Sequence, residues 1–185
     1  DYFMGKWAQS LFGQERIGEV GLVVAGTSKP EIEQTTLGLF DEVLSSKDAV
    51  YHAHLAKKNG ITYPVVFNVY GAPAVLDVLA EMHDGGCRNV IFVGYAYGGF
   101  NNLDVGSIVI PTKAYHFEGL FHLVRFDKKF TAPDELLQST LEKMFRDGGL
   151  PYITGTNISV PSVPFQIPHA NKYYQKIRPS TVEME

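Results

Sequence analysis

Residues 89–111, NVIFVGYAYGGFNNLDVGSIVIP, hold two β-branched apolar runs separated by a glycine-rich turn. Runs of this kind read as strands buried on both faces, which requires a sheet with helices laid over each side. The same grammar appears earlier. Val20–Ala25 (VGLVVA) is a short apolar run closed by Gly26, as expected of a buried strand that feeds a turn.

Helical stretches fall between these runs. Pro30–Leu44 (PEIEQTTLGLFDEVL) predicts a helix with Ser28 as N-cap, Pro30 in the first turn and Ile32, Leu37, Leu39, Phe40, Val43 and Leu44 in an apolar stripe that Gly38 weakens. Val50–Ala56 and Ile61–Tyr70, joined through Asn59-Gly60, predict a β-hairpin, because Asn-Gly supplies the positive φ that a tight hairpin turn needs. Pro73–His83 predicts a helix ending near Gly85-Gly86, and Pro133–Arg146 another ended by Gly148-Gly149. Asn89–Gly94, Val105–Ile110 and Tyr152–Val160 complete the expected strands. Pro161–Pro168 (PSVPFQIP), with prolines at 161, 164 and 168, is a loop suited to a lid or specificity segment. The expectation is an α/β fold of three layers, a mixed and mostly parallel twisted sheet flanked by helices, in one domain over residues 1–185.

Composition narrows the partners. With 45% hydrophobic residues in 185, the chain can bury a sizeable core. A net charge of −4 and isolated arginines (Arg88, Arg125, Arg146, Arg178) leave no basic stripe for a nucleic-acid backbone. One cysteine, Cys87, allows no intrachain disulfide and favours a reducing, cytoplasmic compartment. No apolar run approaches a membrane span, and the opening DYFMGKWAQS lacks the pattern of a signal peptide. With no initiating Met, the natural chain is expected to begin further upstream.

Several segments, taken in order, resemble the purine nucleoside phosphorylase and uridine phosphorylase superfamily. Tyr51–Ala56, Asn59-Gly60, Pro64–Asn68 and Gly71–Ala74 resemble its strand-turn-strand and glycine turn. Cys87–Gly94 is similar to its central strand, Leu103–Pro111 to the strand that follows, Gly155–Gln166 to its base-binding strand and loop, and Val182-Glu183-Met184-Glu185 to its ribose motif. The resemblance runs from about Gly21 to the end of the chain. It implies a nucleoside-phosphorylase-like fold, a small-molecule nucleoside as partner, cleavage of an N-glycosidic bond, no cofactor or metal, and assembly as a dimer or higher homo-oligomer. Tyr2, Trp7 and Phe12 are candidates for such an assembly contact, with core packing as the alternative.

The resemblance also assigns roles. Glycosidic cleavage builds oxocarbenium charge on the sugar, and a carboxylate that accepts from both ribose hydroxyls answers that need. Glu185 takes that part, with Met184 on the sugar's apolar face and Glu183 alongside. Phe165 is placed to stack on a base and Gln166 to pair with its edge, or else Phe165 plugs a core and Gln166 is solvated. Tyr95, Ala96 and Tyr97 border the same region; the tyrosines either donate hydrogen bonds or, the preferred reading, fill volume. The phosphate site is degenerate. Gly26 and Gly94 keep their places, but Pro30 and Phe92 stand where phosphorolytic relatives carry arginine, and neither side chain imitates a guanidinium. Neighbouring Lys29 is expected to point elsewhere. The general acid, an aspartate in the superfamily, is expected beyond Glu185, together with a final strand and helix.

Water is therefore the expected acceptor, as in a nucleosidase. The alternatives are a phosphorylase whose anion site a neighbouring subunit completes, and a non-catalytic nucleoside-binding or storage relative. His52 and His54 share one face of a strand and read as surface histidines, since no Cys or acidic residue accompanies them at metal-ligand spacing. His116 and His122 read as structural, with a substrate contact as the alternative; His83 reads as a helix end, His169 as a loop residue, and Cys87 as packed rather than reactive.

Overall fold

A computed structural model describes residues 6–27, 29–100, 103–117, 129–166 and 172–184. The described residues form two compact units, one up to residue 95 and the other from 96 to 184.

In the first unit a five-stranded mixed sheet runs in the order β2-β3-β4-β1-β5. Strand β1 (Val20–Ala25) pairs in parallel with β4 (Ile61–Val69) and β5 (Asn89–Val93). The β3 (His52–Lys58) and β4 hairpin forms as expected, with Asn59 at φ 50° and Gly60 at φ 80°. Side chains alternate cleanly between two faces. Val23, Ala25, Ala53, Leu55 and Val66 pack with α1 (Lys6–Phe12) and α3 (Ala72–Asp84); Val24, Ala56, Val65 and Phe67 pack with Ile32 and Leu37 of α2 (Pro30–Leu37). Two covered faces are what the apolar runs demanded. Phe12, offered as an assembly contact, is a core residue at 1% exposure, whereas Trp7 is half exposed. Tyr2 lies outside the described residues.

The expected helix over 30–44 is corrected. It stops at Leu37, where Gly38 closes the last turn. Residues 42–48 form β2 (Glu42–Asp48), which pairs antiparallel with β3 from Glu42↔Lys57 to Asp48↔His52. Gly38 interrupts the helix, and the long pairing with β3 outweighs the weak helical periodicity beyond it. As an edge strand β2 is almost wholly exposed, and its charged Glu42, Lys47 and Asp48 discourage pairing with another chain. The N-cap of α2 is Lys29, with no side-chain cap bond; Ser28 lies outside the described residues. Helix α3 likewise has no side-chain cap bond at its start, Gly71. It ends at Gly85 and Gly86 as expected, and Asp84 Oδ2 accepts from the backbone N–H of Trp7 and Ala8 at the start of α1.

The second unit is a five-stranded mixed sheet in the order β6-β10-β9-β7-β8. Strand β9 (Ile153–Ser159) runs parallel to both β7 (Val109–His116) and β10 (Thr181–Glu183), while β6 (Tyr97–Gly98) and β8 (Phe130–Thr131) pair antiparallel at the edges. The strand expected at 105–110 begins instead at Val109. Asp104 and Ser107 close a turn with Gly106 at φ 91°, which leaves Val105 fully exposed. Helix α4 (Glu135–Asp147) starts on Asp134, whose Oδ1 accepts from the N–H of Leu136 and Leu137. A short helix α5 (Lys172–Ile177), which the sequence reading lacked, sends Tyr174 into a core with Ile158, Val160 and Val182. Among the described residues no helix is long and apolar enough to cross a membrane.

Candidate functional site

In the first unit the three parallel strands β4, β1 and β5 end side by side. Ala25 pairs with Val69 and Val24 with Val93, so the turns at Gly26, Gly71 and Gly94 are neighbours. The carboxyl ends of such strands are where open α/β sheets bind ligands. Gly26 takes φ 68° and its N–H donates to the Val69 carbonyl at 3.0 Å. Gly94 lies against Ala25 and the Phe92 ring. Pro30 begins α2 and is exposed; Phe92 pairs with Val23 and is 41% exposed. Neither offers charge or a side-chain donor at this end of the sheet. Lys29 is exposed, and its N–H donates to Thr27 Oγ1. Tyr95 is 62% exposed, so its ring fills no core in this unit.

The second unit brings residues 182–184, expected to be part of a ribose motif, and the loop expected to hold the base into one packed region. Phe117, Pro161, Phe165 and Tyr174 line a cavity of about 270 Å³. The Tyr174 ring meets Phe117 edge-on at 5.9 Å, and its hydroxyl donates to the Phe165 carbonyl at 2.8 Å. That bond anchors the 3₁₀ turn Val163–Gln166, which replaces the expected irregular loop. Burial pushes the Tyr174 hydroxyl above the usual phenol range. Phe165 is 54% exposed, so it is not a core plug; the Gln166 side chain lies outside what is described. Met184 packs on the same cluster as Phe117 and Tyr174.

Strand β10 divides its side chains between two environments. Val182 and Met184 face the apolar cluster. Thr181 and Glu183 face their parallel partners on β9, Asn157 and Ser159. Glu183 is buried, and its Oε1 accepts from Asn157 Nδ2 at 2.7 Å and from the Ser159 hydroxyl. Asn157 Oδ1 accepts from Thr181 Oγ1 at 2.9 Å. Strand β6 pairs Tyr97 with Val182 and Gly98 with Thr181. Tyr97 is 58% exposed and Ala96 is exposed. Glu185 lies outside the described residues.

The sequence profile of the phosphorylase superfamily matches residues 25–185. The chain belongs to that superfamily. No curated protein matches the sequence significantly. Among solved structures, uridine phosphorylase from Vibrio fischeri is similar at TM-score 0.77 and 18% identity, over 91% of this chain and 70% of its own. Purine nucleoside phosphorylase from Toxoplasma gondii, in complex with immucillin-H, gives 0.76 at 15% identity, over 92% and 69%. A futalosine hydrolase mutant of Helicobacter pylori gives 0.76 at 15% identity, over 91% and 80%. These likenesses establish a nucleoside-phosphorylase-like fold.

For a phosphorylase-superfamily member, Asn157, Ser159, Thr181 and Tyr174 are the residues that motif reading missed. The polar ones belong to the network only through the β9–β10 register, which no local pattern encodes. A buried run N-I-S opposite T-V-E was the available signal, since two polar positions on each strand at spacing two share a face. The histidines on β3 are also corrected. His54 is 4% exposed and His52 is 32% exposed, and Glu33 of α2 bonds to both. Cys87 is buried as expected; desolvation pushes its thiol up, opposed by a backbone contact at Asn89 and by the Arg88 charge.

Proposed function

We propose that this superfamily member binds a nucleoside or a close derivative and cleaves its N-glycosidic bond with water as acceptor. The aromatic cavity takes the base. Its volume, about 270 Å³, lies just under the ~300–1,000 Å³ of pockets for larger small molecules. Phe165 supplies a stacking face, Met184 covers the apolar side of the sugar, and Glu183 acts as a positioning residue that ties β10 to β9. Glu185 is assigned the sugar diol. In the reaction the bond from C1′ to the base nitrogen breaks, the base leaves with the bonding pair and gains a proton, and water bonds to C1′ and gives up a proton, leaving the protonated base and the free sugar.

One observation carries the choice of water. Pro30 and Phe92, at the carboxyl ends of β1 and β5, offer nothing that holds an inorganic anion. The likeness to a futalosine hydrolase agrees with this reading, while the likeness to two phosphorylases supplies its rival. The test is base release from purine and pyrimidine nucleosides, measured by chromatography with and without inorganic phosphate. Equal release with free sugar as the product is expected. Phosphate-dependent release with a sugar 1-phosphate would overturn the hydrolytic assignment, and saturable nucleoside binding with no release would make the protein a binder.

A further inference from the structure

Two carboxylates and an imidazole converge on one face of the first unit's sheet. Glu33 Oε2 lies 2.8 Å from His52 Nδ1, and the ligand atoms of Glu33, Asp48 and His52 all fall within 4.8 Å of one another. The geometry has a structural cause. Asp48 of β2 and His52 of β3 are directly paired across the antiparallel ladder, and α2 crosses the same face with its apolar residues on Phe67 and Ala56. Glu33, one position beyond Ile32, is carried to the margin of that contact.

A second set of contacts fixes Glu33 from behind. Its other oxygen, Oε1, lies 2.9 Å from His54 Nε2. The His54 ring is itself fully constrained, with Nδ1 at 2.8 Å from Ser46 Oγ and its plane edge-on to Phe67 at 5.7 Å. A nearly buried histidine that orients a carboxylate, whose second oxygen faces another histidine and a further carboxylate, is the arrangement of an oriented ligand with its outer-shell support.

We propose that Glu33, Asp48 and His52 form a site for a divalent transition-metal ion of the zinc class, with His54 as a positioning residue. One imidazole nitrogen and two carboxylate oxygens form a mixed N/O donor set that suits Zn²⁺ and leaves a fourth position for water. Ligand bonds of about 2.0–2.2 Å at tetrahedral angles separate neighbouring donors by about 3.3 Å. The His52–Glu33 pair needs to open by roughly 0.5 Å from its hydrogen-bonded distance, and the exposed Asp48 to swing inward. The ion takes the place of the hydrogen between His52 Nδ1 and Glu33 Oε2, and a neutral imidazole so bound carries its one N–H on Nε2. Binding would fasten α2, whose first residue is Pro30, to the β2–β3 ladder.

The purified chain, stripped with chelator, is titrated with ZnCl₂ by calorimetry and with CoCl₂ by visible absorption. One ion per chain and the intense visible bands of a low-coordinate Co²⁺ site are expected. His54→Gln should weaken binding about 10–100-fold, as outer-shell changes do, and His52→Gln or Asp48→Asn should weaken it further. Asp48 is exposed on an edge strand, so Asp48→Asn tests the site without threatening the fold. Absence of saturable binding, or wild-type affinity in both His52→Gln and Asp48→Asn, would overturn the site. Unchanged affinity in His54→Gln alone would overturn the positioning role.

Discussion

Replacing Asn157 by leucine tests the idea that the ribose motif is held by its buried polar face. The substitution roughly preserves volume but removes two hydrogen bonds at once. The bond from Asn157 Nδ2 to Glu183, at 2.7 Å, goes to a carboxylate and is worth about 1.5–3 kcal/mol. The bond from Thr181 Oγ1, at 2.9 Å, joins neutral groups and is worth about 0.5–1.5 kcal/mol. Added apolar burial returns under about 1 kcal/mol for one methylene-sized gain. The expected loss is about 3 kcal/mol. With an m-value of about 2 kcal/mol/M in urea, the midpoint falls by about 1.5 M. Glu183→Gln in both backgrounds completes a double-mutant cycle, and a coupling of at least about 1 kcal/mol is expected for partners in direct contact. A loss below about 1 kcal/mol, or additivity within about 0.5 kcal/mol, would falsify the view that this network secures β10.

Other expectations follow from the same structure. Phe165→Ala should weaken nucleoside binding by about 1–3 kcal/mol, the worth of one base–aromatic stack, measured by fluorescence or calorimetric titration, with little change in melting temperature because the ring is half exposed. Tyr174→Phe should raise the apparent dissociation constant while sparing the cavity's shape, since it removes only the bond to the Phe165 carbonyl. Gly99→Ala should destabilise by about 1–3 kcal/mol in urea melts, because a Cβ there would sit 2.0 Å from the Pro179 carbonyl oxygen, a backbone atom that cannot swing away. Burial first, then Asp77 and Asp84, raises the Glu81 carboxyl above 4.5. The folded state thus holds this proton more firmly than the unfolded chain, and Glu81 costs stability as pH rises through and beyond 4.5. Glu81→Gln should gain about 0.5–1 kcal/mol at pH 7, from two relieved like-charge helix pairs, and nothing well below the unfolded value; thermal melts across that range decide it.

The strands that the apolar runs announced are where the sequence was most legible. Val20–Ala25, the Asn59-Gly60 hairpin and Tyr152–Val160 lie as expected, because a buried β-branched run or an Asn-Gly turn carries its own physical instruction. Where local and long-range terms compete, local reading failed. Residues 39–44 carry helix-compatible periodicity, yet Gly38 ends the helix and β3 recruits the chain into a ladder. The aromatic residues of the site were partly visible, as Phe165 was, but Tyr174 lies on a six-residue helix too short to announce itself. The contacts of Glu33 with His52 and His54 join residues 19 and 21 apart, and no spacing rule reaches across a helix, a turn and two strands.

The opposed environments of β10 turn a three-residue strand into its own alignment gauge. Were β10 to slide by a single position along β9, an acidic side chain would be driven among Tyr174, Ile158 and Val160, and an aliphatic one would meet Asn157 and Ser159. Both exchanges are unfavourable together, so misplacement is rejected twice. Met184, one residue on, takes its place on the apolar cluster from that double rejection rather than from any loop.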